Sequence, residues 1–152
     1  MSALFKKLNL GEHTQVSVID APKSFDAELT QLKGVTIARA PKKGFAFVIG
    51  FGTTKKQVDA FAKKVAAPLE GDPVVWFAYP KGSSKKYTCE FNRNDGWDAL
   101  GAVGYEPVRQ VAIDEDWSAL RFRRVGNIKT LTRAASGART AEGKRRTTGK
   151  GR

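Results

Sequence analysis

FAFVIGF (residues 45–51) and VVWFAYP (residues 74–80) are almost entirely apolar, and these two stretches determine the fold class. A strand with one face in water alternates apolar and polar residues, whereas a strand covered by helices on both faces does not. Both stretches therefore predict central strands of a mostly parallel sheet. Between them, residues 55–66 carry apolar side chains at helical spacing and lysines on the opposite face, which predicts a covering helix.

Further elements are predicted on both sides of this centre. The predicted strands are VSVID (16–20), VTIAR (35–39), PVRQVAID (107–114) and WSALRFRRV (117–125), and the predicted helices are 24–32 and 96–103. The first fifteen residues are interpreted as a weakly apolar lead-in. Because helices alternate with buried strands, the sequence predicts an α/β fold. We expect a three-layer, Rossmann-like, mostly parallel sheet with an antiparallel C-terminal edge strand.

Positive charge is concentrated at the C-terminal end of the chain. The sequence carries a net charge of +12, with 27 Lys and Arg against 15 Asp and Glu. Residues 1–125 hold 19 basic and 14 acidic residues, whereas residues 126–152 hold 8 and 1. The second segment has no aromatic residue and no apolar periodicity, so it cannot bury enough surface to order itself. We therefore predict a domain over 1–125 and a disordered basic tail over 126–152.

The tail is the part of the sequence that most directly suggests a partner. A flexible row of cations can follow a line of phosphates and release their counterions, whatever the base sequence. The tail cations that we expect to do so are Arg133, Arg139, Lys144, Arg145, Arg146, Lys150 and Arg152. This pattern predicts weak binding to nucleic acid or another polyanion. The alternative is that the tail only keeps the protein soluble.

Cysteine content and hydropathy limit where the protein works. A single cysteine, Cys89, excludes an internal disulfide framework and favours a reducing compartment. No stretch approaches the ~18 apolar residues needed to span a bilayer, and the first residues lack the apolar core of a secretion signal. We expect a cytoplasmic protein with no membrane partner. The sequence leaves the oligomeric state open.

The second half of the predicted domain resembles the end of a class I methyltransferase domain. The segments that follow the order of that family are FAFVIGFG, the helix ending at residue 66, GDPVVWFAYPK, WDALGAVGYEPVRQVAID and WSALRFRRV. More narrowly, VVWFAYPKGSSKKY together with GWDALGAVGYEPVRQVAIDEDWSALRF resembles a family of small, uncharacterised bacterial proteins with a Rossmann-like fold. This narrower resemblance covers about residues 15–125. It implies a fold and no known reaction.

Two positions depart from the methyltransferase pattern. The resemblance implies a glycine-rich loop after the first strand, where the backbone approaches S-adenosylmethionine. Residues 19–24 are IDAPKS and contain no glycine. The resemblance also implies an acidic residue at the end of the second strand for the ribose hydroxyls, and the sequence has Arg39 there. We therefore expect no cofactor, and in particular no S-adenosylmethionine.

The segment after the second central strand is a candidate anion site. Open α/β sheets bind ligands beyond the carboxyl ends of their strands, and backbone amides, hydroxyls and lysines there can hold a phosphate. The candidate residues are Lys81, Gly82, Ser83, Ser84 and Lys85. The segment is not a P-loop, because the spacing GxxxxGK[ST] is absent. The alternative is a solvated basic loop.

The sequence shows no complete catalytic or metal-binding group. The three acidic residues at 114–116 are adjacent and splay apart, and the only histidine, His13, lies in the lead-in. We expect a hairpin turn there and no metal site. Cys89 has no histidine nearby to form a thiolate pair, and no serine lies in a G-x-S-x-G elbow. Trp97 and Trp117 are expected in the core rather than in a base-stacking surface.

These observations favour a non-catalytic binding or interaction domain whose tail is attracted to polyanions. The alternative function is a small-molecule or nucleotide-binding enzyme derived from a methyltransferase-like fold. Such an enzyme would use the cleft near Asp20, Gly52 and Ser83, which follow three of the predicted strands.

Overall fold

The computed structural model describes residues 3–66, 72–89, 91 and 97–125, and every structural statement here concerns those residues. The strands are β1 (Gln15–Ile19), β2 (Thr36–Ala38), β3 (Phe47–Phe51), β4 (Val74–Pro80), β5 (Tyr105–Ala112) and β6 (Trp117–Arg124). The helices are α1 (Ala3–Lys7), α2 (Asp26–Thr30), α3 (Lys55–Ala66) and α4 (Asp98–Ala102). The predicted tail, 126–152, lies outside the described residues, so its disorder stays a prediction.

The strands form one six-stranded sheet in the order β2-β1-β3-β4-β6-β5. Strands β1 to β4 pair in parallel, and β6 is antiparallel to both of its neighbours, β4 and β5. The prediction of an α/β fold with a mostly parallel sheet and an antiparallel C-terminal strand is confirmed. The position of that strand differs from the expectation, because β6 lies between β4 and β5 and leaves β5 at the edge.

The inserted position of β6 explains its irregular hydrophobic pattern. Its first four residues, Trp117–Leu120, are all buried, as is Phe122. A strand flanked by two others and covered on both faces needs apolar side chains in both directions, so period-two alternation is lost. The same reasoning accounts for the fully buried strands β3 and β4, whose apolar runs predicted this burial correctly.

Helices cover both faces of the sheet and divide the core into two layers. Helices α1 and α2 pack on one face, around Phe47, Ile49 and Trp76. Helices α3 and α4 pack on the other face, around Phe77 and Phe122. None of the described helices is long and apolar enough to cross a membrane.

Helix α1 was not predicted, because five residues are too short for a recognisable periodicity. The large apolar residues of α1 and of the segment just after it are nevertheless buried, namely Leu4, Phe5, Leu8 and Leu10. The indole Nε1 of Trp76 donates to the carbonyl oxygen of Leu8 at 2.8 Å, which fixes the end of this segment against β4. The lead-in is therefore part of the core layer on this face.

Candidate functional site

The fold directs attention to the carboxyl ends of β1 and β3. Strand β1 has β2 on one side and β3 on the other. The chain therefore continues from β1 to one side of the sheet and later returns to the other side, which makes the edge beside β1 a topological switch point. Open α/β sheets bind ligands at such a switch point. We call this region the carboxyl-end crevice and define it as residues 20–25, which follow β1, and residues 52–54, which follow β3. Residues 81–85 follow β4 at the same end of the sheet, so the fold brings the predicted site residues of the domain to one edge.

On the β1 side, the chain turns without glycine. Asp20 is exposed and adopts a φ of 59°, a left-handed conformation that is uncommon outside glycine and that Asp tolerates better than most residues. Pro22 then leads into a 3-10 turn, Lys23–Phe25, closed by the Phe25 amide donating to the Pro22 carbonyl at 2.9 Å. Although serine is a common N-cap residue, Ser24 does not cap the helix predicted over 24–32, since Pro22 and Phe25 occupy the cap positions there.

An aromatic row fills the apolar side of the crevice. Phe25 is 2% exposed, and its ring centroid lies 4.9 Å from that of Phe51, the last residue of β3. The Phe51 ring lies 5.4 Å from Trp117, and Trp117 lies 5.0 Å from Tyr87. The row therefore runs from the loop after β1 to the loop after β4. Protein side chains occupy the space under the crevice.

On the β3 side, Gly52 is required by packing. A Cβ at this position would lie 2.8 Å from Cζ of Phe77 and 2.9 Å from Cβ of Gln57, so a larger residue would push α3 and β4 apart. The Gly52 amide donates to the carbonyl of Ala78 at 3.1 Å. The glycine thus permits close contact within the protein rather than access for a ligand.

The two amides just before α3 are also occupied. Oε1 of Gln57 accepts from the amides of Thr53 and Thr54 at 2.7 and 3.1 Å. In return, the Gln57 amide donates to Oγ1 of Thr54 at 3.2 Å. This reciprocal arrangement is a capping box, which satisfies the orphan donors of a helix N-terminus from within the chain. Thr54 is therefore the N-cap residue of this helix.

The residues after β2 do not provide the expected ribose contact. Arg39 lies 4.0 Å from the carboxylate of Asp26, and both side chains are more than half exposed, so the pair contributes little stability. Neither the glycine turn after β1 nor an acidic residue at the end of β2 is present. At these two described positions the residues therefore differ from those that the methyltransferase resemblance implies.

The predicted anion loop is docked on the β5–β6 turn. The Lys81 amide donates to the Asp116 carbonyl at 2.7 Å, and the Ser84 hydroxyl donates to Oδ1 of Asp116 at 2.9 Å. Oγ of Ser84 accepts from the amides of Lys86 and Tyr87 at 3.3 and 3.2 Å. Ser84 thus organises its own loop. The other predicted anion ligands of the loop, Gly82, Ser83 and Lys85, are exposed.

Asp114, the first of the three acidic residues at 114–116, stabilises the turn that joins β5 and β6. Oδ1 of Asp114 accepts from the amides of Asp116 and Trp117, both at 2.8 Å. Within the described part of the chain, no group of three or more possible metal ligands comes together.

Trp97 and Trp117 are 0% and 4% exposed, which confirms the prediction that both lie in the core.

Sequence reasoning missed a cluster on the sheet surface beyond α1. Nη1 of Arg109 and Nη1 of Arg121 donate to the same acceptor, Oδ1 of Asn9, at 3.1 and 3.2 Å. Arg121 is in register with Trp76 on β4 and with Arg109 on β5, so the three side chains form a row across one face. The signal was available, since Arg121 and Arg123 alternate on a strand that is otherwise apolar on that face.

Burial and like charges act on Arg121. Burial is the largest influence, and it lowers the pKa of the Arg121 guanidinium, as do the neighbouring charges of Arg123 and Arg109. The carboxylate of Asp72 acts in the opposite direction. That carboxylate is itself held by two donors of Arg123, Nε and Nη2. Arg121 is therefore a partly buried cation among cations.

Comparison with solved structures agrees with this fold. The chain is similar to a SAM-dependent methyltransferase from Aquifex aeolicus, with 12% identity, a TM-score of 0.55, and 80% of this chain and 88% of that chain covered. It is also similar to the N-methyltransferase NodS from Bradyrhizobium japonicum WM9, with 12% identity, a TM-score of 0.50, and coverage of 80% and 92%. No protein-family model and no curated protein matches the sequence. At this identity the likeness shows a methyltransferase-like fold alone.

Proposed function

We propose that this chain is a methyltransferase-like domain that works as a non-catalytic binding module, attracted to nucleic acid or another polyanion by its basic tail. The observation that carries the proposal is the distribution of charge. Residues 126–152 hold 8 basic residues and 1 acidic residue, although they are less than a fifth of the chain. A solvated row of cations of this density gains free energy by releasing phosphate counterions.

The state of the crevice supports the non-catalytic part of the proposal. At the described positions where this fold would hold a cofactor, the amides of Gly52, Thr53 and Thr54 have acceptors within the chain. An aromatic row that includes Phe25 and Phe51 occupies the apolar side. A polar group that is already satisfied gains little from a ligand, because it exchanges one hydrogen bond for another.

The test measures binding of the full chain to random-sequence duplex DNA by fluorescence anisotropy, as a function of salt. In the tail variant, seven of the eight basic residues of the tail are replaced by glutamine: Arg133, Arg139, Lys144, Arg145, Arg146, Lys150 and Arg152. In a matched control, seven exposed lysines of the domain are replaced by glutamine instead: Lys23, Lys33, Lys42, Lys43, Lys56, Lys63 and Lys64. Both variants lose the same charge.

We expect the affinity of the full chain to fall by roughly a thousandfold between 50 and 200 mM salt, as for about six to eight phosphate contacts. The tail variant should lose most of its low-salt affinity and most of its salt dependence. The control should retain the larger part of both. Equal losses in the two variants would mean that only total charge matters, and no loss in the tail variant would refute the proposed role of the tail.

A second candidate function is a methyltransferase-derived enzyme that binds a small molecule or a nucleotide near Asp20, Gly52 and Ser83. Two observations favour it: the methyltransferase-like fold and the left-handed conformation of Asp20 at the switch point. Backbone strain clusters at functional sites. Calorimetric titration with S-adenosylmethionine separates the two candidates. A dissociation constant below about 100 μM, which corresponds to more than roughly 5 kcal/mol, would put the enzyme first.

Two finer expectations belong with the proposal. A cytoplasmic location follows from the single cysteine, Cys89, which suits a reducing compartment. Membership of a family of small, uncharacterised bacterial proteins rests on the resemblance of residues 15–125. Neither expectation adds a reaction to the proposed function.

A further inference from the structure

Two arginines on the sheet face beside α1 share a single neutral acceptor. We call Arg109 and Arg121 the arginine pair. Each donates from Nη1 to Oδ1 of Asn9, at 3.1 and 3.2 Å. Asn9 sits just after α1 with a φ of 63°, a left-handed conformation in which asparagine is among the better tolerated residues. This turn presents the amide oxygen to both guanidinium groups at once.

The arginine pair has more donors than the described residues satisfy. Each guanidinium carries five N–H groups in a planar fork. Among the described residues, Asn9 is the acceptor for both, and neither arginine takes part in an ion pair. The Nε of Arg121 is buried and donates to no atom of this part of the chain. The carboxylate of Asp72 acts on Arg121 as an opposing charge, but it is bound by Arg123.

The surroundings hold these charges in place without neutralising them. The Arg109 guanidinium carbon lies 6.0 Å from the centroid of the Trp76 ring, within the range of a cation–π contact. Trp76 is fully buried and is fixed through its Nε1 to Leu8. Arg121 is partly buried between its neighbours on β4 and β5. Two cations kept close together on a rigid sheet cost free energy unless an anion accompanies them.

We propose that the arginine pair binds a phosphate group, with Asn9 setting the separation of the two guanidinium forks. A phosphate has several acceptor oxygens in a tetrahedral arrangement, so it can accept from both forks at the same time. A carboxylate has two oxygens in one plane, so it can face only one fork at a time in the bidentate geometry. The site is open to ligands, because both contacts to Asn9 lie at the surface.

This inference deepens the proposed function and rests on it only for the source of the phosphate. Arg121 lies on the last strand, directly ahead of the basic segment 126–152 in the sequence. A polyanion held by the tail would then have a fixed contact on the folded domain. A small phosphorylated molecule would use the same chemistry without any contribution from the tail.

The experiment titrates the full chain with inorganic phosphate and, separately, with acetate, using isothermal calorimetry and NMR signals of the arginine side chains. The test variant carries Arg109→Gln and Arg121→Gln, and the matched control carries Lys42→Gln and Lys43→Gln, two exposed lysines. Because Arg121 is partly buried, the single variant Arg109→Gln at an exposed position is measured as well, and circular dichroism checks that each variant is folded.

We expect phosphate to shift the Arg109 and Arg121 signals of the unmodified chain and acetate to leave them nearly unchanged. Removing one charged fork should weaken phosphate binding by about tenfold to a hundredfold, the equivalent of one charge-assisted contact. The lysine control should bind as the unmodified chain does. Absence of phosphate binding to the unmodified chain, or equal binding to it and to the Arg109→Gln variant, would overturn the inference.

Binding of random-sequence duplex DNA to the same variants identifies the source of the phosphate. A loss of DNA affinity parallel to the loss of phosphate affinity supports a nucleic-acid backbone. A loss of phosphate affinity alone supports a small phosphorylated ligand. If the tail variant binds DNA unchanged while the arginine pair still binds phosphate, the proposed function fails and the phosphate site remains.

Discussion

The carboxyl-end crevice and the arginine pair differ in how far the chain satisfies its own polar groups. In the crevice, the amides of Gly52, Thr53 and Thr54 have acceptors within the protein, and aromatic rings occupy the apolar side. In the arginine pair, two charged forks share one neutral oxygen, that of Asn9. The fold points to the first region as a ligand site, whereas the chemistry of the residues points to the second.

This difference shows that a fold determines where a ligand site can lie but not which groups are available there to bind a ligand. Folds of one class carry many functions, and the function depends on the groups that the sequence places at the site. At the switch point, the amides after β3 already have acceptors within the chain. A sheet surface with unneutralised arginines offers many free donors, although nothing in the fold class requires them there.

The largest effect is expected from opening the crevice. In Phe51→Ala, the ring that contacts both Phe25 and Trp117 is lost. The free energy of unfolding should fall by about 3–5 kcal/mol, because a large buried ring is replaced by a cavity. Phe51→Leu keeps most of the volume and should cost about 1.5 kcal/mol or less. Urea denaturation measures both. A loss below about 1 kcal/mol in the alanine variant would mean that the ring borders open space.

A smaller effect is expected at the glycines that the sequence placed in the site. Gly52→Ala should destabilise the fold by about 1–3 kcal/mol, because its Cβ would meet Phe77 and Gln57 at less than 3 Å. Gly82→Ala is the matched control, since a Cβ there has no heavy atom within 4 Å. It should leave stability unchanged or slightly increased. Thermal denaturation of the two variants distinguishes packing from ligand access, because a ligand glycine would tolerate alanine in the free protein.

The two serines of the loop after β4 test the same comparison through a smaller expected change in the free energy of unfolding. Ser84→Ala removes the hydrogen bond to Asp116 and the acceptor for two loop amides. The expected loss is about 1–2 kcal/mol of unfolding free energy. Ser83→Ala changes an exposed neighbour and should have no measurable effect on stability. Similar results for the two variants would show that the loop is not docked on the β5–β6 turn.

The sequence predicted the centre of the fold well because burial there is complete. Strand β4 was predicted with the observed bounds, Val74–Pro80, and α3 was predicted over the observed residues, 55–66. Both depend on side-chain pattern alone. The prediction was weaker where an element depends on tertiary contact. Helix α1 is short and owes its position to packing on the sheet, and the place of β6 inside the sheet depends on which strand edge is left open by β4.

The candidate site was harder to predict because hydrogen bonding, not residue type, decides which groups are available. Ser83 and Ser84 are adjacent and chemically identical, yet only Ser84 is bonded to Asp116. Arg109 and Arg121 are separated by a hairpin turn and meet only through the register of β5 and β6. Their common acceptor, Asn9, comes from the opposite end of the domain sequence. Spacing along the chain could not reveal that convergence.

The smallest expected effect is the change of folding stability with pH that results from burying the Tyr105 hydroxyl. Burial raises the pKa of the Tyr105 hydroxyl, and the nearby Arg124 guanidinium acts more weakly in the opposite direction. The unfolded chain loses this proton near pH 10, while the folded chain retains it to higher pH. The folded state then holds more protons, so this contribution to stability is complete below about pH 10 and declines as the pH rises above it.

Tyr105→Phe isolates that contribution from the other groups that titrate in alkali. The variant loses the hydrogen bond from the Tyr105 hydroxyl to the Val65 carbonyl, 3.3 Å long, at every pH. That loss should appear as a constant offset of about 1 kcal/mol below pH 9. Above about pH 10, the stability of the unmodified chain should fall more steeply than that of the variant, so the offset should shrink. Urea denaturation from pH 8 to 11 gives the two curves. Because Tyr105 is buried beside Arg124, an offset that stays constant or grows would mean that the arginine stabilises the phenolate more than burial opposes it.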